Sequence, residues 1–199
     1  MAASERGEKV IQTIKNERRQ FQVFCQALSD EELMREVPNS TWVVRDFIAH
    51  LGTLDTQLQT WFQSVVDGVP DSQIRNADGQ PTGIDDWNDR TVAERRGRTL
   101  DEVFDEAAAN REQLIPVIEQ LTDEHMTTIV HFAGDNKRPG ADIPFGLFLS
   151  GWAHHDAIHL ADMLKALPEH ADDPELREWL SHPAVAWYQN AMSGPAREA

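Results

Sequence analysis

The chain has 199 residues, enough for one domain with a sizeable core. Lys and Arg number 18 against 34 Asp and Glu, a formal net charge of −16 that argues against nucleic acid and anionic membranes as partners. One cysteine, Cys25, excludes an internal disulfide, and no apolar run approaches the roughly 20 residues of a membrane-spanning helix.

The first ten residues, MAASERGEKV, lack the apolar core of a signal peptide, so a cytoplasmic location is expected. Residues 6–27 read as a first helix, with Val10, Ile11, Ile14, Phe21, Phe24 and Leu28 at helical spacing. Cys25 falls on that helix and reads as a small buried hydrophobe, not a nucleophile. Ser29-Asp30-Glu31-Glu32 has the form of a capping box and predicts one short helical turn, stopped near Pro38.

A second helix is expected from Ser40 or Thr41 to about Asp67. Its stripe is Val44, Phe47, Ile48, Leu51, Leu54, Leu58, Trp61, Phe62 and Val65, and Gly68 and Pro70 end it. Residues 68–98 form a long connection with turn chemistry at Asp78-Gly79 and Pro81-Thr82-Gly83 and a short helix over Asp85–Arg96. Its dense cationic run, Arg95-Arg96-Gly97-Arg98, reads as a solvated helix end or a local anion contact. Thr99-Leu100-Asp101-Glu102 is a second capping box, opening a helix to about Leu121 with a kink expected at Pro116.

Residues 122–143 are irregular, with strand character over Thr127–Phe132 and turns at Gly134-Asp135 and Pro139-Gly140. Pro144 suits the first turn of a fourth long helix, which runs to Leu167 and is closed by Pro168. Two further helices are expected, one opened by Asp173-Pro174 and one over Pro183–Met192, with a stop at Ser193-Gly194-Pro195. The pattern predicts an all-α four-helix bundle over residues 1–167 with long crossover connections, and a helical extension over 168–199. That extension carries Leu176, Trp179, Leu180, Val185, Trp187, Tyr188 and Met192, too much apolar surface to stay free. It must cap its own bundle or meet a second copy of the chain, and a homodimer is the expectation.

Three of the eight histidines fall in the run GWAHHDAIHLADM, residues 151–163. Positions i and i+4 share a helix face, so His155 and His159 stack on the stripe that holds Phe148, Trp152 and Met163. His154 is turned by about 100° and should not join them. Two inward imidazoles one turn apart can chelate a divalent metal, and His50, among Phe47, Leu51 and Leu54, is the natural third ligand. The plainer alternative is a pair of core histidines hydrogen-bonded to carbonyls or carboxylates. His125 and His131 could line a cleft in the crossover, and His170 and His182 read as surface residues. Asp46 reads as a helix-start carboxylate or a helper to the site; Asp162, at i+3 from His159, could orient its ring. Arg45, Arg90 and Arg95 are candidates for an anionic substrate, with surface pairing as the plainer reading.

The run Asn39-Ser40-Thr41-Trp42-Val43-Val44-Arg45-Asp46-Phe47-Ile48-Ala49-His50-Leu51 resembles the signature that opens the second helix of the DinB-like superfamily, above all its mycothiol-dependent maleylpyruvate isomerase branch. His155-x-x-x-His159 resembles the second half of that superfamily's metal triad, and Asp86-Trp87-Asn88 with Arg95-Arg96 resembles its middle segment. The resemblance covers roughly residues 5–167. It implies a four-helix bundle with an unusual crossover between the second and third helices, and a divalent metal, zinc or nickel foremost, on His50, His155 and His159. It also implies a low-molecular-weight thiol or water activated there for transfer, isomerisation or hydrolysis of a small electrophilic substrate. A non-catalytic, stress-related metal- or ligand-binding bundle or dimerisation module is the alternative. In the isomerase branch a Glu tends to stand where this chain has His155, and a separate C-terminal substrate domain is not expected in the roughly 30 residues after Pro168.

Overall fold

Each long apolar stripe forms helix, and each capping box opens one. The structure, a computed structural model, describes residues 4–134 and 139–192. Helix α1 (Glu5–Gln26) starts at Ser4, whose hydroxyl accepts the Gly7 N–H. It buries Val10, Ile11, Ile14, Phe21 and Cys25. Ser29 and Thr99 make the two expected capping boxes, opening α2 (Asp30–Leu33) and, further on, α6 (Leu100–Ile118). Each box satisfies helix-end N–H groups that would otherwise lack partners.

The expected second helix is two helices, α3 (Val44–His50) and α4 (Asp55–Val66). It starts at Val44, not at Ser40 or Thr41, because Asp46 accepts the Val43 N–H at 3.3 Å and fixes the first turn there. The break is built around Gly52, which has φ +80° and lies against α6; a β-carbon on it would stand 2.6 Å from the Ala107 Cβ. Only glycine meets both demands. The carbonyl of His50, freed by the break, accepts the Thr53 N–H at 3.1 Å and the Thr53 hydroxyl at 2.7 Å.

The long connection contains α5 (Ile84–Arg95), as expected, and packs it on α3. Pro116 sits near the end of α6, which stops at Ile118, short of the expected Leu121. The crossover holds α7 (Asp123–Thr127) and a small antiparallel hairpin, β1 (Ile129–Phe132) on β2 (Ala141–Pro144). Of the turns expected there, Gly134-Asp135 lies partly outside the described residues. Pro144 is thus the last strand residue and not the first helical one.

The fourth expected helix is also broken, into α8 (Phe145–Trp152) and α9 (His155–Met163). His154 lies between them at φ −98°, ψ 21°. Its ring leaves the bundle axis to meet Glu17 of α1 at 2.6 Å. A 3-10 turn (Pro168–His170) leads to α10 (Pro174–Leu180) and α11 (Pro183–Met192). Asp173 caps α10 with its carboxylate, as expected. The expected stop at Ser193-Gly194-Pro195 lies outside the described residues. Both tail helices pack on α9 of their own chain. Val185 is buried with Ala157 and Ile158, while Trp179 and Leu180 cover the core. This is the capping alternative for the extension, and it consumes most of the apolar surface on which the dimer expectation rested; Trp187 stays exposed.

Two apolar cores result. One gathers Ile14, Phe62, Leu114, Ile118, Phe145 and Leu149; the other gathers Phe21, Ile48, Leu51, Leu160 and Met163. The helix breaks at 51–54 and 153–154 fall where the chain passes from one core to the other. No helix among the described residues is long and apolar enough to cross a membrane.

Candidate metal centre

His50 is the last residue of α3 and His155 the first of α9, so two helix ends meet across the bundle. His159 follows one turn into α9. The Nε2 atoms of His50 and His155 are 3.3 Å apart, and those of His155 and His159 are 3.0 Å apart. The three rings stand edge to face, with centroids 4.5–5.1 Å apart. Among the described residues this is the one group of three buried or half-buried potential ligands made only of histidine, and no fourth His, Cys, Asp or Glu joins it.

A ring nitrogen carries either one hydrogen or one lone pair, so three facing Nε2 atoms cannot satisfy one another fully. Nitrogens held about 2.0–2.1 Å from a common ion at octahedral or tetrahedral angles are themselves about 2.8–3.4 Å apart. The observed spacing fits that requirement. Burial, and then the neighbouring His159 and the Arg18 guanidinium, push His50 well below the usual imidazole range. Burial, then His159, His50, Arg111 and Arg18, do the same to His155. Both are therefore neutral near pH 7, the form that presents a lone pair.

The second nitrogens are less complete. Among the described residues His50 Nδ1 is buried without a hydrogen-bond partner, and so is His159 Nδ1, which stands 3.4 Å from Asp162 Oδ2. Asp162 is held below the usual carboxylate range: burial opposes this, and His159, Lys165 and Gln189 outweigh it. Phe47 and Trp42 flank the trio at 5.5 Å from His159 and 5.3 Å from His50.

The remaining candidates lie elsewhere. Asp46 caps α3 and pairs with Arg96 at 3.0 Å, so it is the helix-start carboxylate of the plainer reading. Arg45 donates to the Arg98 carbonyl, Arg90 lies over the Trp87 ring, and Arg95 pairs with Glu106. All three are engaged structurally. His125 caps α7, and His131 pairs with Asp142 at 2.8 Å on the surface, so neither lines a cleft of the site. His170 pairs with Glu32 at 2.7 Å. Glu32 is drawn down to about 2 by the Ser29 hydroxyl, His170 and the Ser29 N–H. His154 is outside the trio, as its face requires. His182 is exposed, as expected, and its ring stacks on His154 at 3.6 Å between centroids.

Sequence reading missed two ion pairs beside the trio. Arg18 holds Asp156 through two bonds of 2.7 and 3.1 Å, which anchors α9 to α1. Arg111 holds Asp55 at 2.6 Å and lies over the Trp152 ring at 5.0 Å. The signal was present, because Arg111 interrupts the stripe Phe104, Ala107, Leu114, and Arg18 falls between Ile14 and Phe21 at helical spacing. A charge on an apolar stripe needs a buried partner.

Comparison with known proteins bears on the fold and the family. Two solved structures of the mycothiol-dependent maleylpyruvate isomerase, one of them a histidine-to-alanine mutant, share the fold. The mutant superposes with a TM-score of 0.58 at 12% identity, and the other with 0.57 at 13%. Each alignment covers 88% of this chain and 68% of the other. No curated protein matches the sequence. The model of the DinB superfamily matches residues 13–163, three quarters of the chain and all three histidines of the trio, and the protein belongs to that superfamily.

Proposed function

We propose that His50, His155 and His159 hold one divalent metal, zinc or nickel foremost, and that the protein is a metal-dependent enzyme acting on a small electrophilic substrate. The observation that carries this reading is the convergence of three imidazoles, with His155 Nε2 3.3 Å from that of His50 and 3.0 Å from that of His159, and all three ligand atoms within 4.8 Å of one another. An ion on three neutral imidazoles keeps its full charge and can ionise a thiol or a water brought to it. The likeness in fold to an isomerase named for its thiol favours a low-molecular-weight thiol over water, with transfer or isomerisation as the reaction type.

The chain's own residues supply rigidity and dryness. Arg18 clamps Asp156, the neighbour of His155, so the ligand helix is held to α1. Phe47 and Trp42 keep water from the flank of the trio. Trp42 donates its indole N–H to Asp89 at 2.9 Å, which fixes its ring from α5.

The rival reading is a non-catalytic metal- or ligand-binding bundle. A structural zinc site is normally closed by four protein ligands. The lack of a fourth among the described residues favours the catalytic reading. A homodimer belongs to the same proposal, seated on the exposed Trp187 face of α11. The test is metal analysis of the purified protein, followed by a thiol-conjugation and isomerisation screen on the metal-loaded form. Stoichiometric metal without turnover of any thiol-dependent or hydrolytic substrate would leave the binding module as the function. A protein that takes up no divalent metal would end the metal-dependent reading and leave a ligand-binding or dimerisation bundle.

A further inference from the structure

The C-terminal extension makes polar contact with the ligand helix through Gln189. Gln189 of α11 donates from Nε2 to Asp162 Oδ1 at 3.0 Å and approaches the Ile158 carbonyl at 3.5 Å. Lys165 donates to the same carboxylate oxygen at 2.7 Å, from the half-exposed end of α9. The other oxygen of Asp162 faces His159 Nδ1 at 3.4 Å. At that distance the bond is not formed, yet no other partner serves this buried nitrogen among the described residues. Tyr188, the neighbour of Gln189, places its ring 6.3 Å from the His159 ring, so the same turn of α11 covers the same ligand.

An imidazole can ligate through Nε2 only if its hydrogen sits on Nδ1, and an acceptor at Nδ1 selects that tautomer. Asp162 is half-buried, and its Oδ1 is held from two sides, by Lys165 just past the end of α9 and by Gln189 from the extension. We infer that Gln189 is a positioning residue for the metal centre: acting through Asp162, it sets the tautomer and orientation of His159, so the C-terminal extension completes a site whose three ligands all lie in the bundle. This rests on the metal reading above for its consequence, though not for the contact itself.

The experiment compares the parent with Gln189→Met, Asp162→Asn and the double variant. Two measurements are made on each full-length chain. The first is the His159 tautomer in metal-free protein, read from imidazole nitrogen shifts above the usual imidazole titration range. The second is affinity for Co(II) and Zn(II), by competition with a chromophoric chelator, with the visible Co(II) spectrum as a signature. In the parent the Nδ1–H form of His159 should dominate. Gln189→Met should mix the tautomers, weaken metal affinity by about 10- to 100-fold and alter the Co(II) spectrum, while the metal-free melting temperature holds. The double variant should lose no more than Asp162→Asn alone, since both act along one path. An unchanged tautomer in Gln189→Met overturns the inference, as do losses that add in the double variant. A parent that binds neither metal refutes the metal reading, and the tautomer comparison still decides whether Gln189 controls His159.

Discussion

Replacing Gly52 by Ala isolates what holds the break between α3 and α4 open, and so what holds His50 in place. Two costs apply. At φ +80° a side chain sits in the left-handed region, worth roughly 1–2 kcal/mol. In addition, the new methyl would stand 2.6 Å from Ala107 Cβ and 2.7 Å from Ala107 Cα. The second of these is backbone of α6 and cannot rotate away, so overpacking adds about 1–3 kcal/mol. Gly52→Ala should therefore destabilise the chain by about 2–5 kcal/mol, against a total stability of about 5–15 kcal/mol for a domain.

Gly79→Ala is the control. It has φ +76° and nothing within 4 Å of its would-be β-carbon, so it carries the conformational cost alone. The reduced entropy of the unfolded chain offsets both variants alike and cancels in their difference. Urea denaturation of the two should show Gly52→Ala weaker by about 1–3 kcal/mol, with unchanged slopes. Equal stabilities would refute the reasoning, because the close approach of α6 would then contribute nothing. Metal affinity should fall in Gly52→Ala and hold in Gly79→Ala, since only the former disturbs the segment behind His50.

His159→Ala should abolish metal binding and leave the metal-free melting temperature near that of the parent, because stability resides in the apolar stripes; a collapse of the metal-free variant would make His159 a structural core residue instead. Asp55→Ala leaves the Arg111 guanidinium buried and unpaired, so a loss of about 3–5 kcal/mol is expected in chemical denaturation, with partial recovery in the Asp55→Ala, Arg111→Met double variant. Stability of the metal-free protein should decline as pH falls below about 6.5. His50 and His155 stay neutral in the folded chain, by burial first, while the unfolded chain takes up protons there, at up to about 1.4 kcal/mol per pH unit for each group. A flat stability from neutral pH down to the carboxylate range would contradict this. Deleting residues 170–199 and weighing parent and variant in solution tests the extension: a parent that is monomeric at micromolar concentration leaves α10 and α11 as a cap on their own bundle.

The bundle was legible because its signals are local. Apolar stripes at helical spacing and the capping boxes at Ser29 and Thr99 each appear within a few residues, and α1, α2 and α6 start close to where they are expected. The breaks were not legible. Leu51-Gly52 reads as a tolerable glycine in a helix until Ala107, 55 positions away, is known to press on it. The bend at His154 depends on Glu17 and His182, which are remote in sequence. The trio was legible as residue types and i, i+4 spacing, whereas its surroundings were not. Arg18, Asp55 and Arg111 announce burial by interrupting apolar stripes, but only the fold names their partners.

The two missed breaks bear on the site itself. A straight helix through residues 40–67 would project His50 sideways from its middle, one residue among a continuous stripe. Ending α3 at His50 places it at a helix terminus, with its carbonyl taken by Thr53 and its ring clear of a following turn. Starting α9 at His155 does the same from the opposite side, with Asp156 clamped by Arg18. Two helix ends can approach more closely than two helix flanks, whose axes stay about 8–10 Å apart. The breaks leave His50 and His155 at facing helix ends, with their Nε2 atoms 3.3 Å apart. The features that defeat a reading by helical periodicity, the breaks at 51–54 and 153–154, are the ones beside which the three histidines gather.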